Sequence, residues 1–286
     1  MKKILFLAVV ALMVASCEHA TFENTDPNNV TLSFTPSTAD IATRGTVSVG
    51  DYFSKLNVQL FDAEGQKVFS SVRTQLREDD GFGQMRMSLA EGTYTVVAVG
   101  HSSIKSATIK SPQMVQFTAS DGEKLTDTFC NCGTVTVSES GGSFSLVMNR
   151  VAAMLQLKLT DTDLPESFAR LKIDYTGGSA NFNPTTSQGC TKSTQSENRQ
   201  RSDAGLYQCY TFPYLSTSCS LKVTISALTD DGTVIRQRTL ADVPMTRNRI
   251  TTYEGPFFSE GDGNITQSDF GFVVNADWDG EDTYTF

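Results

Sequence analysis

The chain has 286 residues, is 39% hydrophobic and 19% charged, and carries a formal net charge of −9. That balance belongs to a globular chain rather than a disordered one. With no basic run after Lys3, it argues against nucleic acid or anionic lipid headgroups as partners.

Lys2 and Lys3 form a short basic start, and Ile4 to Val14 is an uncharged apolar run. About eleven apolar residues suit the hydrophobic region of a signal peptide and fall short of the roughly 20 that span a bilayer. Val14-Ala15-Ser16-Cys17 follows and resembles the bacterial lipobox. In that motif the Cys is diacylated and becomes the mature N-terminus. Residues 1–16 are therefore read as a signal peptide and residues 17–29, polar and containing Pro27, as a lipidated tether. Two acyl chains, at about 0.8 kcal/mol per buried CH₂, anchor stably where one is marginal. The mature chain is expected to work outside the cytoplasm, where disulfides are permitted.

Past the tether, Val30, Leu32 and Phe34 alternate with Thr31 and Ser33, the pattern of a short strand ended by Pro36. Ser37 to Gly50 loses the pattern, contains Thr43-Arg44-Gly45, and reads as an exposed loop. Alternation resumes at Leu56 to Phe61, turns at Asp62-Ala63-Glu64-Gly65, and is expected to return over Gln66 to Val72. Gln84 to Leu89 is the next strand. Thr93 to Val99 follows, apolar or β-branched on both faces, and so is expected to lie centrally and be covered on both sides. Met114 to Thr118, Gly133 to Val137 and Ser143 to Met148 complete a first set.

A second set comprises Leu155 to Leu159, Leu171 to Tyr175, Tyr207 to Phe212, Leu221 to Leu228, Val234 to Leu240 and Arg249 to Tyr253. Gly177 to Ala204 is polar and reads as a long loop, functional or disordered. Leu164 to Arg170 is the one candidate helix. Asp269 to Phe286, with Phe270, Phe272, Val274 and Trp278, is a closing strand or a donor tail, and packing is the favoured role. Strands recurring between Gly and Asp turns make the fold all-β. The length suits two tandem sandwiches, residues 30–149 and 150–286, meeting near Asn149-Arg150-Val151 without a visible linker.

Apart from Cys17 there are five cysteines: Cys130, Cys132, Cys190, Cys209 and Cys219. An odd number cannot all pair internally, and a bridge among Cys190, Cys209 and Cys219 is the expected one.

The layout resembles the fimbrillin-like lipoproteins of Bacteroidales, the anchor, stalk and accessory subunits of type V pili. The residues that carry the resemblance are the lipobox and tether, Val58 to Gly65, Leu89 to Ala98, Met148-Asn149-Arg150-Val151-Ala152-Ala153, Val243 to Phe258 with its Arg247-Asn248-Arg249-Ile250-Thr251-Thr252 segment, and the acidic Asp277-Trp278-Asp279-Gly280 close. The resemblance implies two transthyretin-like Greek-key β-sandwich domains, delivery to the outer membrane as a lipoprotein, and assembly with other fimbrial subunits by donor-strand exchange. In cleaved members an Arg-specific protease cuts an N-terminal loop and frees the first strand; anchor members keep it. Here Arg44 and Gly45 flank the candidate scissile bond, and Val30, Leu32 and Phe34 mark the candidate exchangeable strand, taken as an edge strand. Strand exchange is β-augmentation: the incoming segment supplies main-chain hydrogen bonds and alternate side chains together.

Catalysis finds little support. His19 and His101 are the only histidines, and a nucleophilic triad would have to use His101. No phosphate loop or zinc-binding pair is present, and no cofactor is expected. Asp79-Asp80, Asp230-Asp231 and the Asp277 to Asp282 cluster read as solvated turns rather than calcium sites. The rival reading is a carbohydrate-binding surface lipoprotein, with Trp278 or the Tyr207, Tyr210 and Tyr214 group as aromatic platform.

Overall fold

The alternation read along the chain becomes strand after strand in the computed structural model, which describes residues 28–37, 48–120, 122–258, 271–275 and 283–284. The first half contributes β1 (Val30–Pro36), β2 (Lys55–Phe61), β3 (Arg73–Leu76), β4 (Gln84–Met87), β5 (Gly92–His101), β6 (Thr108–Ser111), β7 (Met114–Gln116), β8 (Phe129–Val137) and β9 (Gly142–Arg150). Seven of these form one sheet in the order β3-β2-β5-β8-β9-β1-β4. The sheet folds over at the β8–β9 hairpin, whose strands pair only near Phe129–Arg150 and Cys130–Asn149 and otherwise part. Its two wings enclose a core that includes Val30, Leu32, Phe34, Leu56, Val58, Leu60, Val96, Ala98 and Met148.

The second half contributes β10 (Ala153–Leu159), β11 (Arg170–Thr176), β12 (Asn181–Asn183), β13 (Gln188–Gly189), β14 (Gln195–Gln200), β15 (Leu206–Thr211), β16 (Ser218–Leu228), β17 (Val234–Thr246), β18 (Ile250–Gly255), β19 (Gly271–Asn275) and β20 (Thr283–Tyr284). Sheets β15-β10-β18-β19-β20 and β14-β11-β16-β17 face each other across a core that includes Leu155, Leu157, Ile173, Tyr175, Val223, Ile225 and Tyr253. The fold is an all-β sandwich architecture, as the alternation predicts.

A third cluster lies between the halves. Phe61, Val97, Val99, Ile109, Val115, Phe117 and Leu125 from the first meet Val151, Ala152, Ala180, Phe182 and Phe212 from the second. This explains why β5 is apolar on both faces: Val96 and Ala98 serve the sandwich core, and Val97 and Val99 serve the junction. A small sheet, β13-β12-β7-β6, crosses the same boundary and pairs Phe182 with Val115. Each large apolar side chain removed from water contributes about 1.5–3 kcal/mol before entropy, so the junction is comparable to a small core. Residues 151–153 have no exposed surface, and the connection between the halves is thus part of the interior.

Four expectations are corrected. The strand after the Asp62–Gly65 turn is β3, not Gln66 to Val72: the buried Gln59 amide donates to the Phe69 carbonyl at 2.7 Å and takes the place of a ladder bond. Leu164 to Arg170 holds no helix. Phe168 N–H turns back to the Pro165 carbonyl in a single turn, and Ala169 then bonds to the flanking segments, donating to the Leu228 carbonyl and accepting from Arg201 N–H, so its backbone is committed to the sheet. Gly177 to Ala204 is no loop but carries β12, β13 and β14. Its inward side chains include the polar Ser179, Gln195 and Glu197, and only Ala180 and Phe182 join a hydrophobic cluster, so no hydrophobic period reveals it. Finally β1 is not an edge strand, because β9 and β4 flank it.

Truncating Phe182 to Ala should cost about 3–5 kcal/mol through lost burial and a residual cavity. Urea denaturation followed by fluorescence and by circular dichroism should show one shifted transition shared by both halves. A second, unshifted transition would mean that the halves fold independently.

Candidate functional site

The slot that holds β1 is built from both neighbours. β1 runs parallel to β9, from Val30 opposite Gly142 to Pro36 opposite Met148, and antiparallel to β4, from Val30 opposite Met87 to Ser33 opposite Gln84. Val30, Leu32 and Phe34 point into the core with 0%, 0% and 1% exposure. The ends are pinned by local bonds. The Asn29 side chain exchanges two hydrogen bonds with the Leu89 backbone, at 2.8 and 2.9 Å, and so extends the β1–β4 ladder. Ser37 N–H donates to the Met148 carbonyl at 2.7 Å. Gly141, at φ +84°, lets the β8–β9 turn close against this entry, since a Cβ there would lie 1.9 Å from the Asn29 carbonyl oxygen. Beyond β1, the outer side of β4 is partly capped by Gln75, whose amide donates to the Gln84 carbonyl at 2.8 Å and accepts from Gly83 N–H at 3.2 Å.

The second polar concentration is at the boundary between the halves. Arg150, the last residue of β9, donates from Nε to both Asp127 carboxylate oxygens at 2.9 and 3.0 Å. Its Nη1 donates to Asn248 Oδ1 at 3.1 Å, and its guanidinium lies 4.6 Å from the Phe129 ring centre. Asn248, at φ +59°, donates its N–H to the Ala152 carbonyl. The two segments that carry much of the sequence resemblance, around Arg150 and around Arg247 to Thr252, therefore meet here. Burial pushes the Asp127 carboxyl up even though Arg150 pulls it down.

His101 belongs to this boundary and has no access to a substrate. It is fully buried, its Nδ1 accepts from Ser103 N–H at 3.1 Å, and its Nε2 therefore carries the proton toward Asn57 Oδ1 at 2.8 Å. The Asn57 oxygen also accepts from Ala107 N–H, and the His101 ring packs edge-on against Phe117. Burial, aided by the nearby Lys55 charge, lowers its pKa from 6.5 to about 3. Glu197 on β14 is the opposite case: fully buried, with Arg199 Nη2 at 3.2 Å and the Tyr175 hydroxyl at 3.4 Å. Burial outweighs Arg199 and raises its pKa from 4.5 to about 7. Arg199 in turn reaches Glu123 of the first half at 3.4 Å and donates from Nε to the Gln208 carbonyl at 3.0 Å.

The remaining candidates scatter. Cys17, Arg44, Gly45, Trp278 and the Asp277 to Asp282 cluster lie outside the described residues. Cys130, Cys132, Cys190, Cys209 and Cys219 are free, so the bridge expected among the last three is not formed. Cys130 and Cys209 are buried, and desolvation pushes the Cys209 thiol up to about 12. Asp79 caps Leu76 N–H and Asp231 caps Thr233 N–H, the work of ordinary turn carboxylates. Among the described residues no three His, Cys, Asp or Glu side chains gather as a metal site, and no helix is long and apolar enough to cross a membrane. Tyr207 and Tyr210 border a groove at the boundary, whereas Tyr214 packs under Lys192, 5.4 Å from its ring centre. Sequence reasoning missed Asp161, whose carboxylate accepts from Phe257 N–H and Phe258 N–H. A lone Asp between turns gives no periodic signal.

The pH dependence of stability separates the two buried groups. A His lowered to about 3 contributes stability that is present above 6.5 and lost as pH falls toward 3. A Glu raised to about 7 contributes stability that is present below 4.5 and lost as pH rises through 7. Between pH 4.5 and 6.5 the two slopes oppose each other. Thermal melts of Glu197→Gln should therefore fall with acid, and those of His101→Gln should rise, each by up to about 1.4 kcal/mol per pH unit. Parallel profiles in both variants would contradict the burial of one of these groups. A thiol titration in denaturant without reductant should find all five cysteines beyond Cys17 reactive; three would signal a bridge.

No curated protein matches the chain. Among solved structures, a candidate polysaccharide-binding protein from Bacteroides thetaiotaomicron aligns with a TM-score of 0.53 at 10% identity, over 90% of this chain and 98% of that one. A candidate adhesin from the same organism gives 0.50 at 12% identity, over 88% and 97%. A candidate adhesin from Bacteroides ovatus gives 0.50 at 13% identity, over 89% and 94%. At these identities the likeness is one of fold, and it agrees with the fimbrillin-like resemblance in the sequence. Residues 23–286 match DUF6562, a family of unknown function, and the chain belongs to that family.

Proposed function

We propose that the chain is a structural subunit or membrane anchor of a surface fimbria of the type V kind, lipid-anchored to the outer membrane at Cys17 and joined to other subunits by donor-strand exchange at the β1 slot. Two sandwich domains, 30–149 and 150–286, are the units of this reading. The observation that carries it is the setting of β1. It is the first strand, it follows directly on the tether, and it fills a slot between two strands rather than lying along an outer edge.

Losing such a strand leaves unpaired backbone on both β9 and β4 and vacates the places of Val30, Leu32 and Phe34. At about 1.5–3 kcal/mol for each of these side chains, the vacancy forfeits an amount comparable to a domain's net stability. An emptied slot therefore needs a replacement strand with the same alternation, and a donor that took over the register of β1 would run parallel to β9. A chain that keeps β1 keeps the tether and the lipid with it, as an anchor must. A chain cut between Arg44 and Gly45 would be free to exchange.

Mass spectrometry of the native N-terminus tests the proposal. An anchor begins at acylated Cys17, and a cut subunit begins at Gly45, in which case Arg44→Ala leaves the chain at full length. An unlipidated start elsewhere, unchanged by Arg44→Ala, contradicts both forms.

A further inference from the structure

We infer that the groove at the boundary of the two halves is a binding site for a neutral saccharide. The site stands apart from the fimbrial reading, since it uses neither β1 nor the tether. The groove encloses about 520 Å³, within the roughly 300–1,000 Å³ typical of small-molecule sites. Glu123 and Asp127 line it from the first half, and Arg199, Gln208, Leu206 and Tyr210 from the second.

Its chemistry is that of planar polar groups already held in place. Asp127 is gripped by Arg150, Arg199 by Glu123, Glu197 and the Gln208 carbonyl, and Gln208 by Gln156 and the Tyr210 hydroxyl at 3.2 and 3.3 Å. Carboxylate, amide and phenol oxygens accept, and amide and guanidinium N–H groups donate, so vicinal hydroxyls can be met in both senses. The two lining carboxylates each have an arginine partner, which favours an uncharged ligand over an ion. Leu206, 40% exposed, and the half-buried Tyr210 ring supply the limited apolar surface that the C–H face of a pyranose needs.

A peptide fits less well. Strand addition needs free backbone along an edge, and the edges that border this groove are occupied. The Gln208 carbonyl accepts from Arg199, the Tyr210 carbonyl from the Tyr175 hydroxyl at 2.8 Å, and Asn198 N–H donates to the Gly122 carbonyl at 2.8 Å. What remains for recognition is side chains.

The test is an array of neutral oligosaccharides probed with the purified full chain, with each hit then titrated calorimetrically. At least one neutral oligosaccharide should bind. Gln208→Ala and Tyr210→Phe should each weaken it about tenfold, on the order of one lost hydrogen bond, while Tyr214→Phe, outside the groove, should leave it unchanged. Gln200→Ala, an exposed lining position, gives a second reading if Gln208→Ala folds poorly by circular dichroism. No binding to any neutral oligosaccharide, binding indifferent to the groove variants, or a groove that takes only peptides or acidic polysaccharides would overturn the inference.

Discussion

Arg150 carries the constraint on which the architecture depends. It ends the last strand of the first half, is followed by three buried residues, and holds Asp127 behind it and Asn248 ahead of it. A largely buried guanidinium is costly to desolvate, and removing one partner of such a pair typically costs 3–5 kcal/mol, about the scale of a domain's margin of stability. The pair is retained at a point where the chain must change from one sandwich core to the next without an exposed linker. Apolar contacts hold the halves together, and Arg150, fixed by Asp127, presents its Nη1 to Asn248 and so ties the turn there to the end of β9.

That junction has consequences for motion. With Phe182, Phe212 and Phe117 stacked across the boundary and a small sheet spanning it, the halves have no hinge of the usual kind. Only an element outside that junction could leave without breaking it. β1 meets that requirement: its side chains serve only the first sandwich core, and none of them belongs to the boundary cluster. The buried His101 is held at the same boundary by Asn57 and Ser103, so its ring serves packing there rather than facing solvent.

Much of this was legible in the residues. Alternation placed β1, β2, β5, β10 and β11, and the two apolar faces of Thr93 to Val99 foretold a central strand. The return after the Asp62 turn and the stretch from Gly177 to Ala204 were not legible, because in both places polar side chains do much of the inward work and the buried apolar residues are too few to set a period. Gln59 replaces a ladder bond, and Ser179 and Gln195 satisfy buried backbone and one another's neighbours. The groove is half visible in the sequence: Tyr207 and Tyr210 lie close together along the chain, but Arg199, Glu123 and Asp127 converge on them from distant segments, which no local pattern encodes. The position of β1 inside its sheet also depends on long-range pairing, since a strand of seven residues reads the same at an edge or within.

Hydrogen exchange on the full chain before and after cleavage by an Arg-specific protease tests the central claim most directly, because exchange reports local opening free energies strand by strand. The account predicts that cleavage strips protection from the β4 and β9 amides that flank the slot while Val97, Val99 and Val151 keep theirs. Loss of protection across both halves, or none at the slot after β1 has been freed, would contradict it.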